Sequence, residues 1–214
     1  HVKKVSGSTI GLYLISLVGG ERSFSYWRNN SAATLLGQDR NEIEQAMKKQ
    51  DLIYFSGITL AILDPSSRHN LFSCLKLARR AGKKIAFDPN LRPKLWNDKA
   101  EMRDVIMAGA NLSDIILPSF DDEAAWFSDP DPISTIRRYQ NVGAETVIVK
   151  NGGKPVSYFS DQAKGTYPIN SVKAVVDSTA AGDSFNAEIL VGILRKLPLS
   201  EAIGNGANLA KRVI

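Results

Sequence analysis

Cysteine and histidine are nearly missing from this sequence: Cys74, His1 and His69 are the whole supply among 214 residues. A lone cysteine excludes an internal disulfide framework and fits a reducing compartment. Within its helical pattern Cys74 reads as a small buried hydrophobe. The two histidines are far apart in sequence, so no Cys/His cluster has the spacing of a zinc site. Long apolar runs are lacking too, and no secretory n-region, h-region and cleavage pattern is present. The cytoplasm is therefore the expected location, with no membrane partner. Blocks of like charge are also missing. The net charge of +5 and pI of 9.3 suit anionic ligands, but Lys and Arg are scattered, which argues against nucleic acid. No Walker A sequence is present, which excludes the P-loop enzymes. Gly204-Asn205-Gly206 begins like a dinucleotide fingerprint, yet Leu209 stands where the third glycine belongs and the stretch is helical in pattern. Neither repeats nor low-complexity segments occur.

What is present suffices for one domain with a real core, at 43% hydrophobic and 23% charged residues. The chain starts at His1 rather than Met and stops at Ile214 within a helical pattern, so both ends read as cut from something longer. Residues 9–28 alternate in places around Gly19-Gly20-Glu21 and predict a β-hairpin. An isolated hairpin is marginal in water and needs a partner surface. A helix over 41–49 follows. Strands at 52–55, 84–87, 114–117 and 146–150 then alternate with helices at 65–80, 97–110, 120–127 and 132–140. That alternation predicts a parallel sheet with helices on both faces. An antiparallel passage pairs 155–159 with 165–169, a short strand covers 174–176, and helices over 182–196 and 200–213 close the chain.

The chain is organised around Asp177-Ser178-Thr179-Ala180-Ala181-Gly182-Asp183-Ser184-Phe185. The β-branched run before it reads as a buried strand, and from Gly182 the pattern is helical. Small residues there leave N–H groups bare at a helix N-terminus, where the helix dipole also favours an anion. Asp183 in that first turn has two readings. It either complements the dipole or takes a proton from a hydroxyl beside a phosphate.

Ligands of such sheets bind beyond the C-terminal strand ends. Ser56-Gly57, Asp88 to Arg92, Pro118 to Asp122, Asn151-Gly152-Gly153 and Asp177 to Asp183 all fall there. In the loop Asp88-Pro89-Asn90-Leu91-Arg92-Pro93-Lys94-Leu95-Trp96, two prolines fix Arg92. Arg92 suits a carboxylate or phosphate, or else caps the carbonyls of a neighbouring helix. Tyr26 and Arg28, two apart, share one strand face, which either meets a ligand or is an ordinary exposed strand.

The segment from Asp177 to Phe185 resembles the C-terminal signature of the ribokinase-like sugar kinases. Gly11-Leu12-Tyr13, Gly20-Glu21-Arg22-Ser23-Phe24-Ser25-Tyr26-Trp27-Arg28-Asn29, Phe55-Ser56-Gly57-Ile58-Thr59-Leu60-Ala61, the Asp88 to Trp96 loop and Leu117-Pro118-Ser119-Phe120-Asp121-Asp122-Glu123 are similar to the 2-keto-3-deoxygluconate kinases of that family, in the family's order. The resemblance implies an α/β/α sandwich with a small β-sheet lid, residues 1–36 forming the lid hairpin and linker and 37–214 the core. It implies that Asp183 is the catalytic base and that the backbone of Ala180, Ala181 and Gly182 is the anion hole. Tyr13, Tyr26, Arg28 and Arg92 match sugar-acid contacts. Ser119, Lys150, Gly152, Gly182 and Asn208 match the ATP site, Asp122 a Mg²⁺ position, and Asp177 and Thr179 a loop for a monovalent cation such as K⁺.

The implied activity is ATP-dependent phosphorylation of 2-keto-3-deoxygluconate, with a homo-oligomer formed through the lid. Two alternatives stand beside it: a kinase for a neutral ketose or nucleoside, and a non-catalytic sugar-acid-binding protein of the same fold. Three departures from the family pattern are visible. The family's Asn-x-x-Glu motif is here Ser119-Phe120-Asp121-Asp122. Glu188 stands where glycine is usual, and a long charged side chain there would either crowd the site or disturb helix–sheet packing. The family's first sheet strands, its Gly-Gly sugar motif and the end of its last helix have no counterpart in these residues.

Overall fold

The computed structural model describes residues 4–18, 21–28, 30–170, 172, 175 and 177–214, with backbone alone at 17, 18, 21–24 and 26. Its elements in chain order are β1 (Leu12–Val18), β2 (Glu21–Trp27), α1 (Arg40–Lys48), β3 (Leu52–Ser56), α2 (Gly57–Ile62), α3 (Pro65–Arg80), β4 (Lys84–Asp88), α4 (Lys99–Asn111), β5 (Ile115–Ile116), α5 (Phe120–Phe127), α6 (Pro132–Gln140), β6 (Thr146–Val149), β7 (Val156–Ser160), β8 (Lys164–Tyr167), α7 (Ala181–Leu194) and α8 (Leu199–Val213). β1 and β2 pair antiparallel as their own two-stranded sheet, with Tyr13 opposite Tyr26. The expected turn at Gly19 and Gly20 lies outside the described residues. The other strands form one mixed sheet in the order β3-β4-β5-β6-β7-β8. β3 to β6 are parallel, and β7 and β8 return antiparallel.

Side chains alternate across a strand, so each apolar strand feeds two cores. On one face Phe55, Ile85, Phe87, Ile116 and Val147 meet Leu60, Leu71, Leu75, Met102, Ile106 and Tyr139 from α2, α3, α4 and α6. Phe55 and Phe87 stack at 4.5 Å between ring centroids. On the other face Ala86, Ile115, Leu117 and Ile148 meet Phe185, Ile189, Ala202 and Ile203 from α7 and α8. The α/β/α sandwich follows from that alternation. Asp39, Asp64, Asp98 and Asp131 accept backbone N–H bonds at the starts of α1, α3, α4 and α6. Each such cap contributes about 1 kcal/mol. Among the described residues, no helix is long and apolar enough to cross a membrane.

Several expectations shift. The helix α2 was not foreseen; Ser56 Oγ accepts from Ile58 N–H at 3.3 Å and starts it directly at the end of β3. α4 begins at Lys99 rather than 97 because Asp98 caps it. β5 keeps only two of four expected residues. The strand expected at 174–176 falls partly outside the described residues; Val175, which is described, is 53% exposed and outside any strand. A β-branched run becomes a strand only beside a ladder partner, and the sheet described ends at β3 and β8. Gly204 and Gly206 are packing positions: a Cβ on them would press on Tyr167 Oη at 2.6 Å and on Phe185 at 3.0 Å.

α5 is fastened by a buried charge cluster. Glu123 is fully buried and accepts from Arg138 at 2.6 Å and from the Tyr139 hydroxyl at 3.0 Å. Arg138 also binds Asp129 at 2.6 Å and lies over the Phe127 and Tyr139 rings. Burial pushes the Glu123 carboxyl up, while the Arg138 guanidinium opposes that shift. The cluster locks α5 to α6 and so sets the position of Asp122 beside it.

Gly57 lies closely against the loop after β4. A Cβ on Gly57 would overlap the Pro89 carbonyl and crowd Ile106. Gly57→Ala is expected to destabilise by about 3 kcal/mol, the upper end for overpacking, because the obstacle is backbone. Denaturant titration measures this. Proteolysis within residues 88–96 should accelerate in parallel.

Candidate active site

The parallel strands end on one side of the sheet, and their C-terminal residues enclose a cavity of about 720 Å³. β3 ends at Ser56 and β4 at Asp88. Beyond β5 and β6, Ser119 and Lys150 form one further parallel bridge, and Lys150 N–H donates to Pro118 O at 2.9 Å. The chain is thus held extended until Ser119 and Lys150 reach the cavity, where α5 begins.

The loop after β4 carries strain into the cavity wall. Asn90 and Arg92 have φ of 33° and 44°, the left-handed region that non-glycine residues seldom occupy. Leu91 between them is fully buried, and Trp96 Nε1 donates to Leu91 O at 2.9 Å. Those contacts hold the loop in place, with Arg92 on the cavity wall.

The start of α7 forms the opposite wall. Ala180 is left-handed (φ 62°) and offers no side-chain cap. Ser184 N–H closes the first helical turn on Ala180 O at 2.9 Å, and Ala181 N–H is directed to Ser178 O at 3.3 Å. The amides of Gly182 and Asp183 remain as first-turn donors without intrahelical partners, and both residues line the cavity. Just before them, Thr179 N–H donates to Asp177 Oδ1 at 2.8 Å. Thr179 Oγ1 is buried with no hydrogen-bond partner among the described residues.

Charge inside the cavity is mixed. Lys150 Nζ donates to Asn186 Oδ1 at 3.0 Å and lies 3.4 Å from Asp88 Oδ2. Burial raises the Asp122 carboxyl above the usual carboxylate range, against the pull of Arg92 and Lys150. Outside the cavity wall, partial burial, and then the Asp88 carboxylate, push the Tyr54 phenol up. From the hairpin, Tyr13 and Arg28 reach the same cavity, with the Arg28 guanidinium carbon 5.6 Å from the Tyr13 ring centroid.

Most of the expected site residues therefore come together: Tyr13, Arg28, Arg92, Ser119, Asp122, Lys150, Thr179, Ala180, Gly182 and Asp183 all line this cavity. Ala181, Asp177, Gly152 and Asn208 do not. Gly152 lies in the turn after β6 and Asn208 on the exposed side of α8. The expectation for Tyr26 concerns a side chain outside the described residues. Glu188 is half-buried on α7 and is not in the cavity wall, so the expected crowding is not seen. Asp88 and Asn186 were not assigned a role from sequence. Their signal was position: the end of a strand, and one helical turn past Asp183. A larger groove of about 1050 Å³ runs along β3 and α1, but its walls are mainly aliphatic, including Leu35, Ile43, Met47, Ile53 and Leu71. It gathers no comparable set of chemical groups.

An acid at a helix start, flanked by bare amides, a lysine and two arginines, is equipped to bind an anionic substrate and to accept a proton beside it. Residues 1–214 match the family model of the pfkB carbohydrate kinases. The chain belongs to the pfkB family of carbohydrate kinases. It is similar to 2-dehydro-3-deoxygluconokinase from Haemophilus influenzae, at 40% identity over 210 residues, covering 95% of this chain and 67% of that relative. It also resembles the crystal structure of a PfkB protein from Polaromonas sp. JS666, with TM-score 0.80 and 26% identity over 95% of this chain and 66% of that one. An E. coli protein solved in complex with ATP and Mg²⁺ has the same fold, with TM-score 0.76 and 24% identity over 92% of this chain and 62% of that one. The chain thus spans about two thirds of the length of the relatives it matches. The fold is ribokinase-like, as the Asp177 to Phe185 signature implied.

Gly182 separates binding from folding. A Cβ there meets nothing within 4 Å, so Gly182→Ala should fold with an equal or higher Tm, since replacing a helical glycine gains up to about 1 kcal/mol. The methyl group adds bulk to the cavity wall at the first turn of α7. ATP affinity by calorimetry is expected to fall by about tenfold or more, the cost of one charged hydrogen bond.

Proposed function

We propose that the protein transfers the γ-phosphoryl group of ATP to the primary hydroxyl of 2-keto-3-deoxygluconate, giving the 6-phosphate. The observation that carries this reading is the meeting of Arg28 from the hairpin and Arg92 from the core in the cavity that Asp183 also lines. A neutral polyol needs no guanidinium pair, whereas a sugar carboxylate matches one. The identity to 2-dehydro-3-deoxygluconokinases supports the same substrate class.

In this reading Tyr13, Tyr26 and Arg28 hold the sugar acid from the hairpin side, and Arg92 holds it from the core. Asp183 accepts the proton of the attacking hydroxyl. The Gly182 and Asp183 amides, with the neighbouring backbone of Ala180 and Ala181, stabilise charge on the phosphoryl group. Ser119 and Lys150 face the nucleotide phosphates, while Gly152 and Asn208, outside the cavity, border the rest of the nucleotide. Asp122, an acid on the cavity wall beside Ser119, would hold a Mg²⁺ ion, which needs only one or two carboxylates beside phosphate oxygens. Bound with ATP, Mg²⁺ spreads the charge of the phosphates. The orphaned Thr179 Oγ1 and the Asp177 carboxylate fit a monovalent cation such as K⁺, which would supply positive charge behind the anion-binding turn.

The hairpin of residues 1–36 acts as a lid that excludes water, since an open site would pass the phosphoryl group to water. Its other face exposes Leu12, Leu14 and Trp27. A two-stranded sheet with such a face is suited to pairing with a second copy.

Two variants test the reading. Asp183→Asn keeps shape but accepts no proton; sugar-dependent ADP release should fall about 10²–10⁴-fold with ATP binding nearly intact. Turnover near wild type would leave Asp183 a helix-dipole acid and overturn its role as the base, whereas a wild type without sugar-dependent ADP release would favour a binding protein. Arg28→Leu should weaken 2-keto-3-deoxygluconate binding by about 1.5–3 kcal/mol with ATP affinity unchanged. The weak turnover of a neutral ketose should change little. Equal losses for acid and neutral sugars would make Arg28 structural and remove the main reason for preferring an acid sugar.

A further inference from the structure

We infer that Asn186 is a positioning residue for Lys150: its buried carboxamide aims the Lys150 ammonium at the phosphate-binding end of the cavity and ties it to the helix that carries Asp183. The inference deepens the kinase reading and rests on it.

Lys150 stands just past the end of β6 and lines the cavity. Its Nζ donates to Asn186 Oδ1 at 3.0 Å and lies 3.4 Å from Asp88 Oδ2. Asn186 Nδ2 in turn donates to Asp88 Oδ2 at 2.8 Å. Asn186 is 1% exposed and Asp88 3%, so the two contacts are shielded from water and hold firmly. An ammonium only donates, and a carboxylate only accepts. Left to themselves, Lys150 and Asp88 would close to the usual separation of about 2.7–2.9 Å for a charged hydrogen bond. Instead Asn186 stands beside both, its oxygen toward the lysine and its nitrogen toward the aspartate. A carboxamide is the group that offers an acceptor and a donor on two sides of one small plane. Two of the three ammonium N–H directions are then taken by Asn186 and Asp88, and the third is left for the cavity.

Asn186 also lies one helical turn past Asp183 on α7. Residues three apart share a helix face, so the same side chain fastens the first turn of α7 to the ends of β4 and β6. The lysine, the base and the first-turn amides are thereby kept in one frame. A long side chain with four rotatable bonds, such as lysine, gains most from a fixed partner of this kind.

The test is a double-mutant cycle in the full chain, with wild type, Asn186→Leu, Lys150→Met and the double variant. Asn186→Leu should lower kcat/KM for ATP by about 10- to 100-fold, the range for one charged hydrogen bond, while KM for 2-keto-3-deoxygluconate stays constant. In the Lys150→Met background the same substitution should cost less than about threefold, because its target is gone. The cycle is repeated as an ADP titration by calorimetry without sugar, with the same non-additive result expected. If Asn186→Leu does not fold, Asn186→Ser replaces it, removing the carboxamide without placing an apolar branch against Asp88. Equal losses in both backgrounds, or a lowered Tm with unchanged kinetics of the folded protein, would overturn the inference and leave Asn186 a structural residue. A wild type without sugar-dependent ADP release, but with a non-additive ADP cycle, would remove the kinase reading and leave the positioning role standing.

Discussion

A carboxylate almost out of reach of water, at the end of an interior strand, is the constraint on which this site depends. Asp88 is buried because β4 carries apolar residues to both cores and ends between them. A buried charge of this kind costs several kcal/mol unless it is hydrogen-bonded and paired. Asn186 and Lys150 meet that demand, and in doing so they bring β4, β6 and α7 to one point. The cavity exists at that point. Much of its wall is made of residues just after β4 and β6 and at the start of α7, with Ile58, Ser119 and Asp122 beside them.

The sheet is asymmetric in a way that matters for the site. One face carries α2, α3, α4 and α6, held by large aliphatic and aromatic side chains. The other carries α7 and α8, packed closely through Gly192, Gly204 and Gly206. Small residues at those contacts seat α8 closely against α7 and against Tyr167 at the end of β8, while Asn186 on α7 reaches Asp88. Meanwhile Gly57 lets the Pro89 carbonyl approach α2, which fixes the loop bearing Arg92 from the opposite side. That loop and the start of α7 make two walls of the cavity. The hairpin supplies a third through Tyr13 and Arg28.

Much of this was legible in the residues. Apolar strands of four or five residues alternating with amphipathic helices specify a largely parallel sheet; the aspartates that cap α1, α3, α4 and α6 were not read as helix starts, and Asp98 moved the start of α4 to Lys99. The run from Thr179 to Asp183 declared a helix beginning with bare amides. Tyr13, Arg28, Arg92, Ser119, Asp122 and Lys150 could be named because each stood in a motif or at a strand end. The α2 helix was hidden because it starts without a turn after β3. Residue 175 was misjudged because local β-propensity ignores whether a neighbouring strand is available. Asn186 was hidden for a different reason: an asparagine inside a helix reads as neutral until its partners are known.

Local chemistry by itself determined most of the segments that become strands and helices and which short stretches are rich in anion-binding groups. These depend on periodicity, caps and small residues, which act over one or two turns of chain. Only the tertiary structure decided that Lys150 and Asp88, 62 residues apart, and Asn186, 98 residues from Asp88, share hydrogen bonds. It likewise decided that Glu188 stays out of the cavity wall, and that the glycines of α8 receive Tyr167 and Phe185 rather than a nucleotide. Those outcomes depend on the register of strands and the depth to which helices settle on the sheet. Both are set by packing across the whole core, where a change of one residue in register turns every side chain to the other face.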